Sequence, residues 1–522
     1  MPDHYSAQAS RQILRNGGNA VGAAITTVFV LAVTLPWAGN IGGGGFMVSH
    51  MNGEDAFLDF RERAPAKAHR DMYLDEGGNF VQQDSLLGGR ASGVPGTVRG
   101  MHEAHKRYGS KPWASLLQAA INLAEEGFTV SPILAQTAAE KIIEVGGETN
   151  FAKYFSTIRA GENFKQPQLA ATLKRIAKNP DEFYTGKTAR QITAQMARSG
   201  GLISMEDLNS YRAIWRAPLR QQWRDYTIVT VAPPSSGGIA LVQLLKMRDF
   251  ADEHFRDVWH NSPQYIHLLA EIEKRVFADR AQYLGDPDFI DVPVEKLLDD
   301  DYLKLRAAQI NPAAISATSH IKAGLESTDT THFSVLDKYG NAVAITYTLN
   351  WEFGSGVVVE GGGFVLNNEM DDFSAKVGVK NKFGVIGNPN NAIEPGKRML
   401  SSMTPTILLK DGQPALILGT SGGSTIFTSV FQVILNTYDY AMPLQTAVNA
   451  NRFHHQLPDA LVIRHDQREI PRQTSKALTD MGYTVTPNSW GDLGLLQAIK
   501  IQGNKVEAAS DNRGSGESLL IN

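Results

Sequence analysis

The chain has 522 residues, 42% of them hydrophobic and 20% charged, a composition that excludes general disorder and can form a large core. Its 50 basic and 54 acidic residues leave a net charge of −4, and without a long basic run they argue against nucleic-acid or membrane-surface binding. Because cysteine is absent, disulfides, thiolate metal sites and cysteine nucleophiles are excluded. A small molecule or peptide is the expected substrate.

Two helices are predicted at the start of the chain. Helical spacing over residues 6–15 stops at Gly17, and Asn19 can cap the apolar helix that follows. That second helix, residues 20–36, is shorter than the roughly 20 apolar residues that span a bilayer, so it is predicted to be buried. Residues 1–10 lack the features of a signal peptide, which indicates a cytoplasmic protein or one whose leader has been removed.

Four glycines at 42–45 precede two strand-like runs, residues 46–50 and 56–60. Arg61 follows the second run directly. A single arginine most often forms a surface ion pair, here with Glu62, although its guanidinium could also clamp a carboxylate with two hydrogen bonds.

Helical patterns fill the middle of the chain and give way to strands in its last third. Residues 107–210 are largely helical in pattern, and Ser262 is placed to cap a long helix. Beyond that the apolar period changes to two, with one helix predicted between residues 425 and 440. The main boundary is therefore a change of pattern, between residues 1–329 and 330–522, and not a linker.

A hairpin is predicted at this boundary. A three-residue loop with Gly340 in a left-handed position joins strand-like runs over residues 331–336 and 342–349. Extending the register backwards places Thr330 directly opposite Thr348, with their β-carbons about 5 Å apart on one face. The other face is apolar, as expected for a sheet that packs on a core.

The polar face of this hairpin has two interpretations. A row of hydroxyls with His332 is, by itself, more typical of a solvated sheet surface than of an active site. A threonine hydroxyl needs a nearby base to act as a nucleophile, however, and an α-amino group with a pKa of about 8 can serve. Cleavage between Asp329 and Thr330 would create that base on the nucleophile itself, and Thr348 could orient both groups.

A glycine turn after a predicted strand offers an oxyanion site. Gly422 and Gly423 lead into a helix, so unpaired N–H groups and the positive end of the helix converge there. An ordinary strand-to-helix turn explains the glycines equally well. The same turn also fits the nucleophile elbow of a serine hydrolase, with Ser421 as nucleophile. His454 or His455 and Asp439 would complete that triad.

Two further polar groups are candidate binding residues. Ser401 and Ser402 offer two hydroxyls before a strand, although they also suit a simple turn. The other group is acidic, and its oxygens would suit calcium although the spacing of an EF-hand is absent. It comprises Asn367, Asn368, Glu369, Asp371 and Asp372.

Motifs spread in order along nearly the whole chain resemble those of the γ-glutamyltranspeptidases, which are N-terminal-nucleophile hydrolases. The motifs lie at residues 59–62, 93–97, 233–238, 277–280, 330–332, 353–356, 367–374, 401–403, 421–424 and 453–455. The resemblance implies an α+β fold, a four-layer αββα sandwich of two stacked, mainly antiparallel sheets. It also implies self-cleavage before Thr330 and lasting association of a large subunit, 1–329, with a small catalytic subunit, 330–522.

The resemblance further implies a reaction and its residues. Thr330 would attack a γ-glutamyl amide of glutathione or a related compound to form a γ-glutamyl ester, which water, an amino acid or a peptide then resolves. No cofactor or metal is implied, and the location is expected to be periplasmic or secreted. The nucleophile would be oriented by Thr348, and the oxyanion would be bound by Gly422 and Gly423. The α-carboxylate of the substrate would be bound by Arg61, Ser401 and Ser402. Its α-amine would be bound by Asn350, Glu369 and Asp372.

Under the same resemblance, Asp372 favours γ-glutamyl substrates. The related cephalosporin and glutaryl acylases do not need to bind a free amine on their substrates. Two segments depart from the family pattern: residues 36–40, and a predicted lid over residues 375–396 that carries Lys380, Lys382 and Phe383. These departures leave the acceptor preference and the behaviour of the lid open, but not the class of reaction. Three alternatives stay open at this point: a related acylase, the serine hydrolase, and an uncleaved binding protein.

Overall fold

The computed structural model describes residues 1–316, 329–376 and 388–521. Its helices are α1 (His4–Arg15), α2 (Ala20–Thr34), α3 (Gln82–Leu86), α4 (Thr97–Tyr108), α5 (Trp113–Glu126), α6 (Pro132–Val145), α7 (Phe151–Phe155), α8 (Pro167–Lys178), α9 (Glu182–Thr185), α10 (Lys187–Ser199), α11 (Met205–Ser210), α12 (Gly237–Phe250), α13 (Asp252–Phe255), α14 (Pro263–Tyr283), α15 (Val294–Leu297), α16 (Asp300–Ala308), α17 (Ile426–Tyr438), α18 (Leu444–Asn449) and α19 (Arg472–Asp480). None of these helices is both long and apolar enough to cross a membrane.

The strands are mostly short and lie in groups between the helices. They are β1 (Gly44–Met51), β2 (Glu54–Asp59), β3 (Phe128–Thr129), β4 (Asn163–Phe164), β5 (Ile214–Arg216), β6 (Leu219–Trp223), β7 (Tyr226–Thr230), β8 (Asp329–Leu336), β9 (Ala342–Asn350), β10 (Thr406–Lys410), β11 (Gln413–Gly419), β12 (Phe453–His454), β13 (Val462–His465), β14 (Thr484–Pro487), β15 (Gln497–Gln502) and β16 (Lys505–Ser510).

Two large sheets form the centre of the molecule. The first has the strand order β5-β2-β1-β9-β8, and the second has the order β16-β15-β11-β10-β7-β6. Each of these ladders is antiparallel. Both sheets combine strands that precede Thr330 with strands that follow it, so the two parts of the chain are interleaved and share their cores.

The sheets stack face to face and a helical layer covers each outer face. Phe46 of the first sheet and Ile407 and Ile417 of the second belong to one buried apolar cluster between the sheets. A second cluster joins α2, α4, α5 and other early helices to the first sheet. A third joins α12, α14 and α17 to the second sheet. The predicted four-layer αββα sandwich is confirmed.

Local signals in the sequence explain the key helices. The Asn19 side chain accepts a hydrogen bond from Gly22 N–H and caps α2, as predicted. Every residue of α2 is buried, because this helix lies between the first sheet and the surrounding helices; this accounts for an apolar surface on all its sides. Ser262 caps α14 through the Tyr265 N–H, also as predicted.

Candidate active site

The hairpin that carries Thr330 departs from the predicted register at one position. β8 and β9 pair in the predicted register over residues 331–336, but the register then shifts and Asp329 pairs with Asn350. Thr330 consequently faces two residues of β9, and the prediction that it lies directly opposite Thr348 is wrong. The irregularity is a β-bulge, a feature that re-aims side chains. Asn350 has a φ of +78°, which ends the regular strand geometry there.

The Thr348 side chain is fixed beside this bulge. Its Oγ1 accepts a hydrogen bond of 2.7 Å from the N–H of Asn350. The Thr348 carbonyl oxygen accepts one of 2.8 Å from Asn40 Nδ2. A Cβ on Gly43 would lie 2.0 Å from that carbonyl oxygen. Because Gly43 has no side chain, the start of β1 can approach β9 closely. This close contact holds Thr348 in place.

The polar face of the hairpin is buried between the two sheets, so its interpretation as a solvated surface is wrong. His332 is 1% exposed, and its ring nitrogens lie 2.8 Å from Thr346 Oγ1 and 3.1 Å from Ser334 Oγ. Burial lowers the pKa of His332 to about 3, so the imidazole is neutral at physiological pH. A Cβ on Gly419 would lie 2.4 Å from this ring. His332 thus packs the hairpin against the end of β11.

Thr330 lines a cavity of about 590 Å³ together with the turn that follows β11. Ser421 and Gly422 of that turn share the lining, as do Trp37 and Trp490. This volume is in the range of pockets that hold small-molecule ligands. The candidate nucleophile and the candidate oxyanion turn therefore face one space.

Gly422 and Gly423 form the turn between β11 and α17, with φ values of +121° and +56°. The Gly422 carbonyl oxygen accepts hydrogen bonds from the Thr425 N–H at 3.0 Å and from Thr425 Oγ1 at 2.8 Å. Within the described ranges, neither Gly422 nor Gly423 donates its N–H to another group. Two unpaired amides at the start of a helical segment are suited to stabilise a developing negative charge.

Ser421 does not form a catalytic triad. Its Oγ accepts a hydrogen bond of 3.0 Å from the Leu495 N–H. The candidate base and acid residues have other partners: His454 bonds Thr428 and Gln456, His455 bonds the Val462 carbonyl, and Asp439 pairs with Arg224 and Arg248. The serine hydrolase interpretation is contradicted by this geometry.

Arg61 lies at the centre of a buried ionic cluster. Its guanidinium bonds Glu369 through Nη1, and Asp372 through Nη2 at 2.5 Å. A carboxylate oxygen of Glu62 lies 3.6 Å from Nη1, and Nε donates to the Met399 carbonyl at 3.3 Å. Because Arg61 is 1% exposed, its interpretation as a member of a surface ion pair is wrong.

Two carboxyl groups of this cluster, those of Glu62 and Glu369, have raised pKa values. Both oxygens of the Glu62 carboxyl are buried and lack a hydrogen-bond partner among the described residues, and burial raises the pKa of Glu62 to about 7. Burial likewise raises the pKa of Glu369, although Arg61 opposes the shift. A cationic group that enters the cluster would favour the ionised forms of these carboxyls.

Ser401 and Ser402 follow Met399 on a segment that bonds residues 233–238, one of the family motifs. The Ser401 N–H donates to the Pro234 carbonyl at 3.0 Å. Its carbonyl oxygen accepts from the N–H and Oγ of Ser236, each at 2.7 Å. The Ser402 Oγ is buried and has no partner among the described residues. An unmet buried hydroxyl is costly unless a ligand or water bonds it.

Two asparagines connect these parts of the site. Asn350, at the bulge, donates through Nδ2 to the carbonyl of Asn368 at 3.0 Å, next to Glu369. Asn391 donates through Nδ2 to the Asp372 carbonyl at 2.7 Å and accepts from the Leu400 N–H at 3.0 Å. The Asn391 link was missed by sequence reasoning, because no local pattern marks it.

The calcium interpretation of the acidic run finds no support in the described part of the chain, where no group of three or more histidine, aspartate or glutamate side chains is arranged to hold a metal ion. Asp371 accepts a hydrogen bond of 2.6 Å from Ser85 Oγ, and Asn367 Oδ1 accepts one of 2.9 Å from the Gly93 N–H. Of the predicted lid, Lys380, Lys382 and Phe383 lie outside the described residues.

The model of the γ-glutamyltranspeptidase family matches residues 6–521. The chain belongs to the γ-glutamyltranspeptidase family. Within it, the glutathione hydrolase proenzyme of Pseudomonas aeruginosa is 54% identical over 522 residues, which are 100% of this chain and 94% of the relative. The resemblance found in the sequence motifs is thereby confirmed.

Solved structures of this family and of related acylases are similar to the chain. The γ-glutamyltranspeptidase from Pseudomonas nitroreducens, complexed with L-DON, is 52% identical with a TM-score of 0.61, and the match covers 62% of this chain and 97% of that one. The cephalosporin acylase from Bacillus halodurans is 27% identical with a TM-score of 0.84, covering 99% and 94% of the two chains.

Proposed function

We propose that the protein hydrolyses γ-glutamyl amides such as glutathione and transfers their γ-glutamyl group, through an ester formed on Thr330. The observation that carries this proposal is the buried cluster of Arg61, Glu369 and Asp372, joined to the Thr330 hairpin through Asn350. A glutamyl head group is a zwitterion, and a site with both a guanidinium and carboxylates matches its two charges. The identity to a glutathione hydrolase proenzyme supports the same conclusion.

Self-cleavage between Asp329 and Thr330 is part of the proposal. The Thr330 hydroxyl attacks the carbonyl carbon of Asp329, and the peptide nitrogen leaves as the α-amine. Water hydrolyses the resulting ester, which leaves a carboxylate on residue 329 and a free amine and hydroxyl on Thr330. The name proenzyme of the Pseudomonas aeruginosa relative supports processing. So does the Pseudomonas nitroreducens chain, whose match covers 62% of this chain, about the share of residues 1–329.

The two products of cleavage are proposed to stay together as a large and a small subunit. Each sheet contains strands from both sides of Thr330, so separation would expose both cores. No cofactor takes part in the proposed reaction. The acceptors are water, an amino acid or a peptide, and a periplasmic or secreted location is proposed from the family resemblance.

The proposed catalytic cycle uses the new amine as the base. The Thr330 α-amine takes the proton of its own hydroxyl as Oγ attacks the γ-carbonyl carbon, while Thr348 orients both groups. Gly422 and Gly423 donate their N–H groups to the oxyanion, which is worth about 3 kcal/mol per donor in comparable sites. The departing amine receives the proton, and water or an acceptor amine then attacks the ester to release the γ-glutamyl group.

The choice between γ-glutamyl and acylase substrates is tested by Asp372→Asn. The asparagine amide is neutral and cannot form an ion pair with the substrate ammonium. We therefore expect kcat/KM for γ-glutamyl para-nitroanilide to fall about 100-fold, the equivalent of one charged hydrogen bond. Glutaryl para-nitroanilide has the same acyl chain without the α-amine. Its turnover is expected to change little or to rise.

Asp371→Asn is the matched control for this substitution, since Asp371 is the buried sequence neighbour of Asp372 and bonds Ser85. It is expected to retain the preference for the γ-glutamyl donor. A wild-type enzyme that prefers the glutaryl anilide would instead favour an acylase, which the structural similarity to cephalosporin acylase makes the second candidate. An Asp372→Asn variant that keeps the γ-glutamyl preference would contradict the role proposed for Asp372.

Gly422→Ala tests the oxyanion turn. A Cβ at residue 422 would lie 2.5 Å from Thr425 Oγ1, and the φ of +121° is strained for alanine. The turn must shift, so kcat is expected to fall at least about 10-fold while KM changes less, because the affected amides act mainly in the transition state. Steady-state kinetics on the processed enzyme measure this.

Gly412→Ala provides the control for backbone strain. Gly412 also has a positive φ, +74°, but a Cβ there would meet nothing within 4 Å. It is expected to lower stability by about 1 kcal/mol and to leave kcat unchanged. Equal losses of kcat in both glycine variants would contradict the role proposed for the turn.

A further inference from the structure

A second arginine lies near the buried ionic cluster of Arg61, Glu369 and Asp372. Arg280, in the last turn of α14, is 2% exposed. Its Nε donates a hydrogen bond of 3.0 Å to Ser236 Oγ, and Ser236 Oγ donates in turn to the Ser401 carbonyl at 2.7 Å. The guanidinium is thus one side chain away from the segment that holds Ser401 and Ser402.

Asp372 connects Arg280 electrostatically to the same cluster. Burial lowers the pKa of Arg280 to about 9, and the charge of Asp372 opposes that decrease. Arg280 therefore remains protonated at neutral pH. Asp372, which bonds Arg61 at 2.5 Å, is consequently influenced by two guanidinium groups.

The balance of charge in the cluster makes a second cation useful. The single guanidinium of Arg61 faces three carboxyl groups, those of Glu62, Glu369 and Asp372. When these are ionised, one guanidinium leaves an excess of negative charge that would repel a substrate carboxylate. Arg280 offsets part of that excess from the side of the Ser401 segment.

We propose that Arg280 is a positioning residue for the α-carboxylate of the donor: it fixes the Ser401–Ser402 segment through Ser236 and supplies the second positive charge of the site. This inference rests on the proposed γ-glutamyl activity and extends it. Arg280 acts through the segment that is proposed to bind the carboxylate end of the head group. Its contribution is therefore expected to be larger for donors that carry an α-carboxylate.

The test compares two donors that differ in that one group. Gamma-glutamyl para-nitroanilide carries the α-carboxylate, whereas 4-aminobutyryl para-nitroanilide has the amine on the same carbon and lacks it. Arg280→Gln is expected to raise KM for the first donor about 10-fold or more, with a smaller change in kcat, and to change KM for the second less than about twofold. Arg280→Lys is expected to recover part of the loss, since it restores the charge but not the planar donor geometry.

Two further variants keep the test decisive if Arg280→Gln folds poorly. Ser236→Ala removes the hydroxyl that joins Arg280 to Ser401, and it is expected to raise the same KM selectively. Arg306→Gln, which removes a neighbouring arginine paired with Asp279 at 2.9 Å, is expected to lower thermal stability without changing the ratio of the two KM values.

Equal losses on both donors, or no loss with the γ-glutamyl donor, would overturn the role of Arg280 while leaving the γ-glutamyl activity of the wild type intact. A processed wild-type enzyme that does not turn over the γ-glutamyl donor at all would overturn both proposals. The wild-type rate, measured first, therefore distinguishes the two failures.

Discussion

Replacement of Thr330 by alanine is expected to leave one uncut chain with no measurable turnover of γ-glutamyl amides. The substitution removes the hydroxyl that attacks Asp329 and, with it, the hydroxyl that would later attack the substrate. Loss of a nucleophile in a comparable acyl-transfer enzyme lowers kcat about 10⁶-fold. A denaturing gel and intact mass report the cleavage, and a chromogenic γ-glutamyl anilide reports the activity. In the wild type, the smaller fragment is expected to begin Thr-Thr-His-Phe.

Ser421→Ala is the matched control, because Ser421 lines the same cavity as Thr330. Its hydroxyl accepts a hydrogen bond from Leu495, and His454 and His455, the candidate bases, bond other residues. The variant is expected to cleave itself and to retain turnover. Thr330→Ser keeps a hydroxyl at the cleavage site and is expected to process. A Thr330→Ala protein that is cut and active would end the proposed mechanism.

The fold was predictable where short-range rules determine it. The caps at Asn19 and Ser262 follow from side chains that reach an N–H three residues away. The hairpin register over residues 331–336 follows from its short loop, with Gly340 at a φ of +82°. These features depend on neighbours in sequence, so the sequence alone contains the information. The layered architecture followed from the family resemblance.

The site was less predictable because its geometry depends on contacts between distant parts of the chain. The bulge beside Thr330 arises at the end of β9, where Asn350 has a positive φ. Counting residues back from the hairpin loop assumes a regular ladder and could not predict it. The residue type alone favoured a surface ion pair for Arg61, and only the family resemblance implied a place in the site. Glu369 and Asp372, more than 300 residues away in sequence, bond it there. Arg280 left no signal beyond its place in a family motif, since its partner Ser236 lies on another element.

Arg61→Lys is expected to have the second largest effect on activity. Lysine keeps the charge but replaces a planar group that bonds two carboxylates with a single ammonium, so Glu369 or Asp372 loses its partner in a buried site. The substrate carboxylate also loses a two-pronged donor. We expect kcat/KM for γ-glutamyl anilide to fall at least about 100-fold, mainly through KM.

The control must separate donor binding from the general cost of disturbing a buried ion pair. Arg275→Lys does so, because Arg275 is 2% exposed and bonds Glu271 at 2.9 Å on α14, at a cluster distinct from that of Arg61. Both variants are expected to lower the thermal midpoint, since each leaves a buried carboxylate less well paired. Only Arg61→Lys is expected to raise KM. If Arg275→Lys raised KM as much, the loss would reflect the stability of the sandwich, and Arg61 would have no special part in holding the head group.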